Sequence, residues 1–346
     1  MTRSSRRSRQ GHIALSPGGR AIEILAFLRE GPAGFVSGAD ISRALKISRT
    51  AVWKHVGRLR EAGYVIEAHP SQGYRLLESP DLLLPAELQQ GLETRFVGRE
   101  IHHLLSADST NRVAHVLAEQ GAVEGTTVIA EEQTRGRGRL GRSWYSPPRV
   151  NVYASIILRP RIPAAQVPQL TLVGAVAAAR AIISVYDGPP DLLPRIKWPN
   201  DIMIGSRKIS GTLVETTTVG ETLGHVVLGI GINVNLAEKD LPKELSEVAT
   251  SLSIAAGHPV SRQTLARRLF SEIEACYVGF CDEGFRKLSE EYASFCSLWG
   301  RNIRVTLPDR VVEGIAEGLD PDGALRVKKT GGDMERILAG DVQLLR

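Results

Sequence analysis

At 346 residues, with 42% hydrophobic and 23% charged side chains, the chain has the composition of a soluble globular protein with room for two or three domains. No apolar run of membrane-span length is read in it, and the basic N-terminus lacks the apolar segment of a signal peptide; three sparse cysteines (Cys276, Cys281, Cys296) show no metal spacing, so a reducing cytoplasm and no membrane partner are expected. The net charge of +5 is uneven: residues 1–80 hold 13 Lys/Arg against 6 Asp/Glu, the remainder 30 against 32, so a nucleic-acid partner is expected at the first quarter only.

Residues 1–18 are rich in Arg and Ser and lack apolar periodicity, which predicts a disordered basic arm; contact with DNA phosphates and a solvated tail both stay open. Ile22, Leu25, Ala26 and Leu28 recur at helical spacing. A second helix is expected to start after Ser37 and run through Ile41 to Leu45. After the short link Lys46-Ile47, a third starts behind Ser48 and ends at Gly63. Two helices joined so tightly form a helix-turn-helix. With Val52, Val56 and Leu59 inward, the third helix turns Arg49, Thr50, Trp53, Lys54 and Arg58 outward, a set suited to a major groove. Residues 65–77 read as a hairpin wing around His69-Pro-Ser-Gln-Gly73, so operator DNA is expected to meet residues 37–77. A generic three-helix module is the plainer alternative.

Ser79-Pro-Asp81 and Pro85 punctuate a linker over 80–88, after a winged-helix domain at 19–79. The central domain, 89–297, mixes strand-like runs (127–131, 152–158, 226–230) with helical ones (111–120, 167–185, 261–276), which implies an α/β or α+β fold. Gly174-Ala-Val-Ala-Ala-Ala179 predicts a helix packed closely on a sheet. Residues 298–346 carry short alternating strands at 301–306, 311–319, 324–329 and 335–338, with a turn at Asp320-Pro-Asp-Gly323, so a small barrel of SH3-like size is expected.

The chemistry centres on Thr134-Arg-Gly-Arg-Gly-Arg-Leu-Gly-Arg142 and the Ser143-Trp-Tyr-Ser-Pro-Pro148 that follows. Glycine lets backbone approach a ligand, and arginine offers a permanent planar charge for carboxylates and phosphates. Four arginines in nine residues repel one another, which predicts a loop mobile when empty and ordered around an anion. Gly136, Gly138 and Gly141 match the letters of a dinucleotide fingerprint, but Pro147 and Pro148 follow where a helix should open. No Gly-Lys-Ser/Thr closes the run, which excludes a Walker loop. A solvated basic loop is the plain alternative.

Three further segments look organised around the same site. Asp108-Ser-Thr-Asn111 precedes a helix, where these residue types either cap it or offer hydrogen bonds to a small polar ligand. In Ile196-Lys-Trp-Pro-Asn-Asp201, Pro199 is expected to hold Trp198 extended. A turn at Gly205-Ser206 then sets Met203 opposite Lys208 and Asp201 opposite Ser210, with Asp201 near Lys208. Gly229-Ile-Gly-Ile-Asn-Val-Asn235 permits close backbone approach, and Asn233 has donor and acceptor atoms for a base edge.

With these motifs in family order, the chain resembles the bifunctional biotin–protein ligases that also repress biotin synthesis genes. The match is carried by Asp108-Ser-Thr-Asn111, Gln133, Gly136-Arg-Gly-Arg-Leu-Gly-Arg-Ser-Trp144, Lys197-Trp-Pro-Asn-Asp201, Lys208-Ile-Ser-Gly211 and Gly231-Ile-Asn233. The resemblance implies an α+β protein: a winged helix-turn-helix, a mixed α/β ligase domain of the class II aminoacyl-tRNA-synthetase/biotin-ligase type, and an SH3-like β-barrel. It implies a biotin–[acetyl-CoA-carboxylase] ligase that joins biotin and ATP, with Mg²⁺ riding on the nucleotide, into biotinyl-5′-AMP. The acyl group then passes to a lysine of a biotin carboxyl carrier protein. By the same resemblance Ser109, Thr110, Asn111 and Gln133 bind the ureido ring and Gly211 lines the pocket. Gly136, Arg137, Gly138 and Arg139 close over the acyl-phosphate, Lys208 stabilises it, and Trp144 and Asn233 lie near the adenine. Lys208, Arg137 and Arg139 are the catalytic set, and a homodimer is implied when the adenylate is bound. Ser210 stands where Ala is more usual, Leu140 at a variable position, and the arm before residue 19 is longer than expected. A lipoate or octanoate ligase, and a ligand-sensing transcription factor without ligase activity, are the rivals.

Overall fold

The computed structural model describes residues 19–30, 34–219 and 222–345; the basic arm read in residues 1–18 lies outside them. At the N-terminal end, α1 (Gly19–Glu30), α2 (Gly38–Leu45) and α3 (Arg49–Glu61) pack around Ile24, Leu25, Ile41, Val52, Val56 and Leu59. The two serines end the preceding chain as expected, Ser37 Oγ accepting from Ala39 N–H and Ser48 Oγ from Ala51 N–H. Lys46, in the left-handed region at φ 52°, makes the tight turn between α2 and α3. The wing is an antiparallel pair, β1 (Val65–His69) and β2 (Gly73–Glu78). Arg49, Thr50, Trp53, Lys54 and Arg58 are all exposed on α3, Trp53 at 67%.

The segment read as a linker is not loose. Leu83, Leu84 and the short helix α4 (Pro85–Leu88) are buried, Leu83 and Leu88 in the core of the central sheet, Leu84 and Ala86 in that of the winged helix. Arg29 donates to both oxygens of buried Glu87 (2.5 and 2.6 Å), and Tyr64 Oη donates to the same carboxylate. From the other side, Arg267 Nη1 donates to Glu87 O (3.0 Å), Gln263 Nε2 to Pro80 O and Leu82 O, and Leu83 N–H to Glu131 Oε1 (2.7 Å). Sequence pattern reported the prolines; it could not report long-range partners for the apolar residues between them.

Among the described residues, the central domain is a seven-stranded sheet in the order β3-β4-β5-β9-β8-β7-β6. Its strands are β3 (Ile101–Leu104), β4 (Thr127–Ala130), β5 (Val152–Leu158), β6 (Arg195–Lys197), β7 (Asp201–Ile204), β8 (Arg207–Val219) and β9 (Thr222–Ile232), antiparallel except for β3 with β4. One face is covered by α5 (Thr110–Glu119), through Ala114 and Ala118. The other carries α6 (Leu170–Val185), backed by α8 (Arg262–Glu283) and α9 (Arg286–Phe295), with α7 (Leu252–Ala256) at one end. Gly174 brings α6 down onto the sheet, where an added Cβ would sit 2.8 Å from Leu228 and Thr212. Here the sequence reading needs correcting: Ala164–Val185 is apolar over a span long enough to cross a membrane. Most of it is buried within the protein, between the sheet and α8, so its apolarity serves a core.

The C-terminal module is a five-stranded antiparallel sheet: β10 (Asn302–Thr306), β11 (Val311–Leu319), β12 (Leu325–Lys328), β13 (Met334–Ile337) and β14 (Asp341–Leu344). The order β13-β12-β11-β10-β14 returns the last strand beside the first, and a bulge at Ala316–Gly318 bends the long β11, as a small SH3-like sheet requires. β14 was not legible as a strand; Gly340 and Asp341 at its start reach the central cleft instead.

Candidate functional site

The floor of the cleft is built on three glycines. Gly211 on β8 faces Gly231 on β9, and Gly229 sits two pairs along, opposite Leu213. Strand alternation turns these glycines away from α6. A Cβ at Gly231 would lie 2.6 Å from Trp144 Nε1, one at Gly229 2.0 Å from Asn111 Oδ1, and one at Gly211 3.0 Å from Lys208 Nζ. The glycines are what let these three side chains reach a common surface. A cleft of about 820 Å³, counted to its open mouth, lies above them.

One wall comes from the start of α5. Ser109 occupies the N-cap position without a side-chain capping bond, so the motif is more than a cap. Gln133 Oε1 accepts from Thr110 N–H and Oγ1 (2.9 and 3.1 Å), its Nε2 donates to Ser146 Oγ (3.0 Å), and Ser155 Oγ donates to Asn111 Oδ1 (2.6 Å). The polar groups are thus oriented by one another before any ligand arrives.

Lys208 reaches the cleft through a β-bulge. Met203 pairs with Lys208 as expected, but Ile202 pairs with Ser210 and Asp201 with Gly211, so the extra residue on β8 is Ile209. The regular register expected from the turn, with Asp201 opposite Ser210, does not hold. Without the bulge Lys208 would share the α6 face with Ser210; with it, Lys208 joins Gly211 on the cleft side. There its Nζ pairs with Asp201 Oδ1 at 2.5 Å and lies 5.2 Å from the centroid of the Trp144 ring. The Trp198–Pro199 bond that leads into this hairpin is cis, and Trp198 is buried with its Nε1 donating to Gly323 O (3.2 Å).

The arginine loop forms the lid side. Its charges are more fully matched than the sequence suggested. Arg137 Nη2 donates to Glu215 Oε2 (2.8 Å) and Arg142 Nη2 to Asp341 Oδ2 (2.7 Å). Arg139 instead donates to two neutral acceptors, Asn200 Oδ1 (3.0 Å) and Gly340 O (3.4 Å). Burial pulls the Arg139 guanidinium below its ordinary value, opposed by the charges of Asp201 and Asp341. Burial also works against the Asp341 charge, but the Arg142 hydrogen bond and the charges of Arg142, Lys197 and Arg139 outweigh it and hold that carboxyl below its usual range. Leu140 stands at the tip, 70% exposed, with φ 56°.

Ser109, Thr110, Asn111, Gln133, Arg137, Gly138, Arg139, Trp144, Lys208 and Gly211 therefore line one cleft. Gly136 lies just behind it, where an added Cβ would meet Trp144 O at 2.5 Å. Asn233 does not reach it: buried, it donates through Nδ2 to Thr250 O (3.0 Å) and accepts from Asn151 Nδ2 (3.4 Å), so its amide serves the fold. Glu215 and Asp341 complete the charge pattern and Asn200 adds a neutral acceptor; only Asn200 lay within a motif, and no local signal marks the other two. Trp144 Nε1 is buried without a partner beside the glycine floor, a donor left for an acceptor on a ligand.

Residues 105–233 match the Biotin/lipoate A/B protein ligase family, residues 20–75 an HTH domain and residues 299–345 the Biotin protein ligase C terminal domain. The "Bifunctional ligase/repressor BirA" of Bacillus subtilis is 40% identical over 312 residues, covering 90% of this chain and 94% of that protein. The protein of the same name from Escherichia coli is 31% identical over 90% of this chain and 92% of its own. A biotin protein ligase from Aquifex aeolicus in complex with biotin and ATP superposes with a TM-score of 0.62 at 28% identity, covering 72% of this chain and 99% of that one. On these matches, and on a cleft where the arginine loop meets Lys208 above a glycine floor, the chain belongs to the bifunctional biotin–protein ligase/repressor family.

Proposed function

We propose that this chain is an ATP-dependent biotin–protein ligase and DNA-binding repressor, with both chemical steps in the cleft between the arginine loop and the glycine floor. The observation that carries the reading is the convergence of Arg137, Arg139, Arg142 and Lys208 on one cavity that also holds the oriented Thr110–Gln133 pair. A biotin carboxylate must attack the α-phosphorus of a polyanion, and like-charge repulsion is a large part of that barrier. Unit charges 4 Å apart interact by about 1 kcal/mol in water but about 4 kcal/mol at an effective dielectric of 20. Prepositioned cations therefore lower it by several such interactions. Ser109, Thr110, Asn111 and Gln133 suit a ureido ring, whose donors and acceptors match theirs, better than an apolar acyl tail. Trp144 is the stacking surface for the adenine. Mg²⁺ would enter on the phosphates of the nucleotide, since the cleft carboxylates Asp201 and Asp341 are engaged by Lys208 and Arg142. The acceptor is a lysine of a carrier protein, reached through the open mouth of the cleft. The test is biotin-dependent ATP–pyrophosphate exchange, run with biotin, with lipoate and with neither. Exchange with lipoate alone, or with neither, would overturn the reading.

Arg139 holds the lid to Asn200 and to the C-terminal module, so its loss should open the lid without unfolding the domain. Arg139→Gly is expected to release the adenylate about 10- to 100-fold faster, the worth of one or two charge-assisted hydrogen bonds. Gel-filtration retention of labelled adenylate would show it, and wild-type retention would refute the lid role.

The winged helix reads operator DNA through α3, with Arg49, Lys54 and Arg58 toward phosphates and base edges and Trp53 exposed among them. The chain works in the cytoplasm and pairs as a homodimer once the adenylate fills the cleft. Log affinity for the operator should fall linearly with log salt, by about 0.9 for each phosphate neutralised, and replacing Lys54 by alanine should flatten the slope by about one such step. Salt-independent or absent binding would remove the repressor half.

A further inference from the structure

Glu215 belongs to none of the motifs that define the cleft, yet it touches both sides of it. It lies on β8 four residues beyond Gly211, on the same face. Its Oε2 accepts from Arg137 Nη2 at 2.8 Å, on the loop, and from Asn111 Nδ2 at 2.7 Å, at the start of α5. The other oxygen of Asn111's partnership is fixed as well, since Asn111 Oδ1 accepts from Ser155 Oγ on β5. One carboxylate oxygen thus ties the arginine loop to a side chain locked against the sheet. We propose that Glu215 is a positioning residue for the ligation, an acceptor of the right reach that aims Arg137 at the reacting phosphate from a platform shared with the biotin side. This rests on the ligase reading above.

The surroundings favour reach over charge as what matters. Two donors share one oxygen, so its position is set from two directions, one from the loop and one from the start of α5. His115 Nε2 is 4.0 Å from the same oxygen, beyond hydrogen-bond range, and its Nδ1 is engaged with His225 Nε2 at 2.9 Å. Burial lowers the pKa of both imidazoles, which keeps them neutral and out of competition for the carboxylate. Arg137 offers further N–H groups beyond the Nη2 bond, so it can serve Glu215 and a phosphate together.

Two substitutions separate reach from charge. Glu215→Gln keeps the length and an acceptor oxygen but removes the charge; Glu215→Asp keeps the charge but withdraws it by one methylene. In biotin-dependent ATP–pyrophosphate exchange, the glutamine variant should stay within about threefold of wild type. The aspartate variant should lose about 10- to 100-fold in kcat, the scale of a misplacement near 1 Å, with KM for biotin little changed. In an Arg137→Ala background the aspartate change should have no further effect. Loss in the glutamine variant with retention in the aspartate variant would mean that charge alone matters and would overturn the proposal. An undiminished aspartate effect in the Arg137→Ala background would overturn it too, because Glu215 would not be acting through Arg137. Thermal midpoints and operator binding serve as controls for folding, and equal losses there and in exchange would mean a purely structural residue. If wild type itself shows no biotin-dependent exchange, the ligase reading has failed and this proposal goes with it; loss confined to the variants cannot be mistaken for that.

Discussion

Lys208→Ala is expected to reduce the rate of biotin-dependent ATP–pyrophosphate exchange by about 10²- to 10³-fold, the usual cost of removing one prepositioned stabilising group from a closed site. Biotin affinity should change by no more than about threefold. The split follows from geometry: Lys208 faces Asp201 and the Trp144 ring, while the polar groups suited to the biotin ring lie on Ser109, Thr110, Asn111 and Gln133 across the floor. A group that meets charge only as it develops acts on kcat; one that meets the ground state acts on binding as well. Quench-flow measurement of adenylate formation, with calorimetric titration of biotin, would read the two separately. Equal losses in both would reduce Lys208 to a binding residue.

The second large effect is on stability. Arg262, 1% exposed, opens α8 and donates Nη1 to Glu131 Oε2 (2.8 Å) and to Asn151 O (3.2 Å), and Nη2 to Asp81 O. Glu131, also 1% exposed, follows β4 and engages His103 Nε2 at 3.0 Å and Leu83 N–H. Arg262→Ala would leave that carboxylate buried without its cation, at a cost of about 3–5 kcal/mol. Burial raises the pKa of Glu131, but the His103 bond, the Arg262 charge and the Leu83 N–H outweigh it and hold the group below its ordinary 4.5. A depressed carboxyl contributes stability that is present above the unfolded value and lost as pH falls through the folded one. The wild-type contribution should therefore fade below about pH 4.5, and so should the difference between wild type and Arg262→Ala. Urea unfolding at pH 7 and pH 4 would measure both; an unchanged midpoint at pH 7 would show that the cluster does not stabilise the fold.

Local patterns in the chain were enough for the winged helix, because Ser37 and Ser48 cap their own helices and Val52, Val56 and Leu59 repeat at helical spacing. The arginine loop was legible for a similar reason: its residue types are costly together unless they have charges to meet. What those charges meet was not, since Glu215 and Asp341 stand 78 and 199 residues from Arg137 and Arg142. The β-bulge at Ile209 escaped a register counted outward from the turn, because a bulge depends on pairing across strands rather than on the residues of one. Asn233 misled because a small polar residue at the end of a Gly-rich strand suits a ligand and a buried loop equally well; only the partners Thr250 and Asn151 decide between them. The length and apolarity of Ala164–Val185 were likewise present in the chain, but their meaning came from what packs on the helix.

The Arg29 and Tyr64 bonds to Glu87 have a consequence for how two copies would read an operator. A reading head on a slack cord can settle on half-sites at many separations, trading affinity for tolerance. Here the head is bolted to the body through a buried carboxylate. The distance between two recognition helices would then be dictated by how the bodies meet, and a few base pairs inserted at the centre of an operator should not be absorbed by stretching the chain between them.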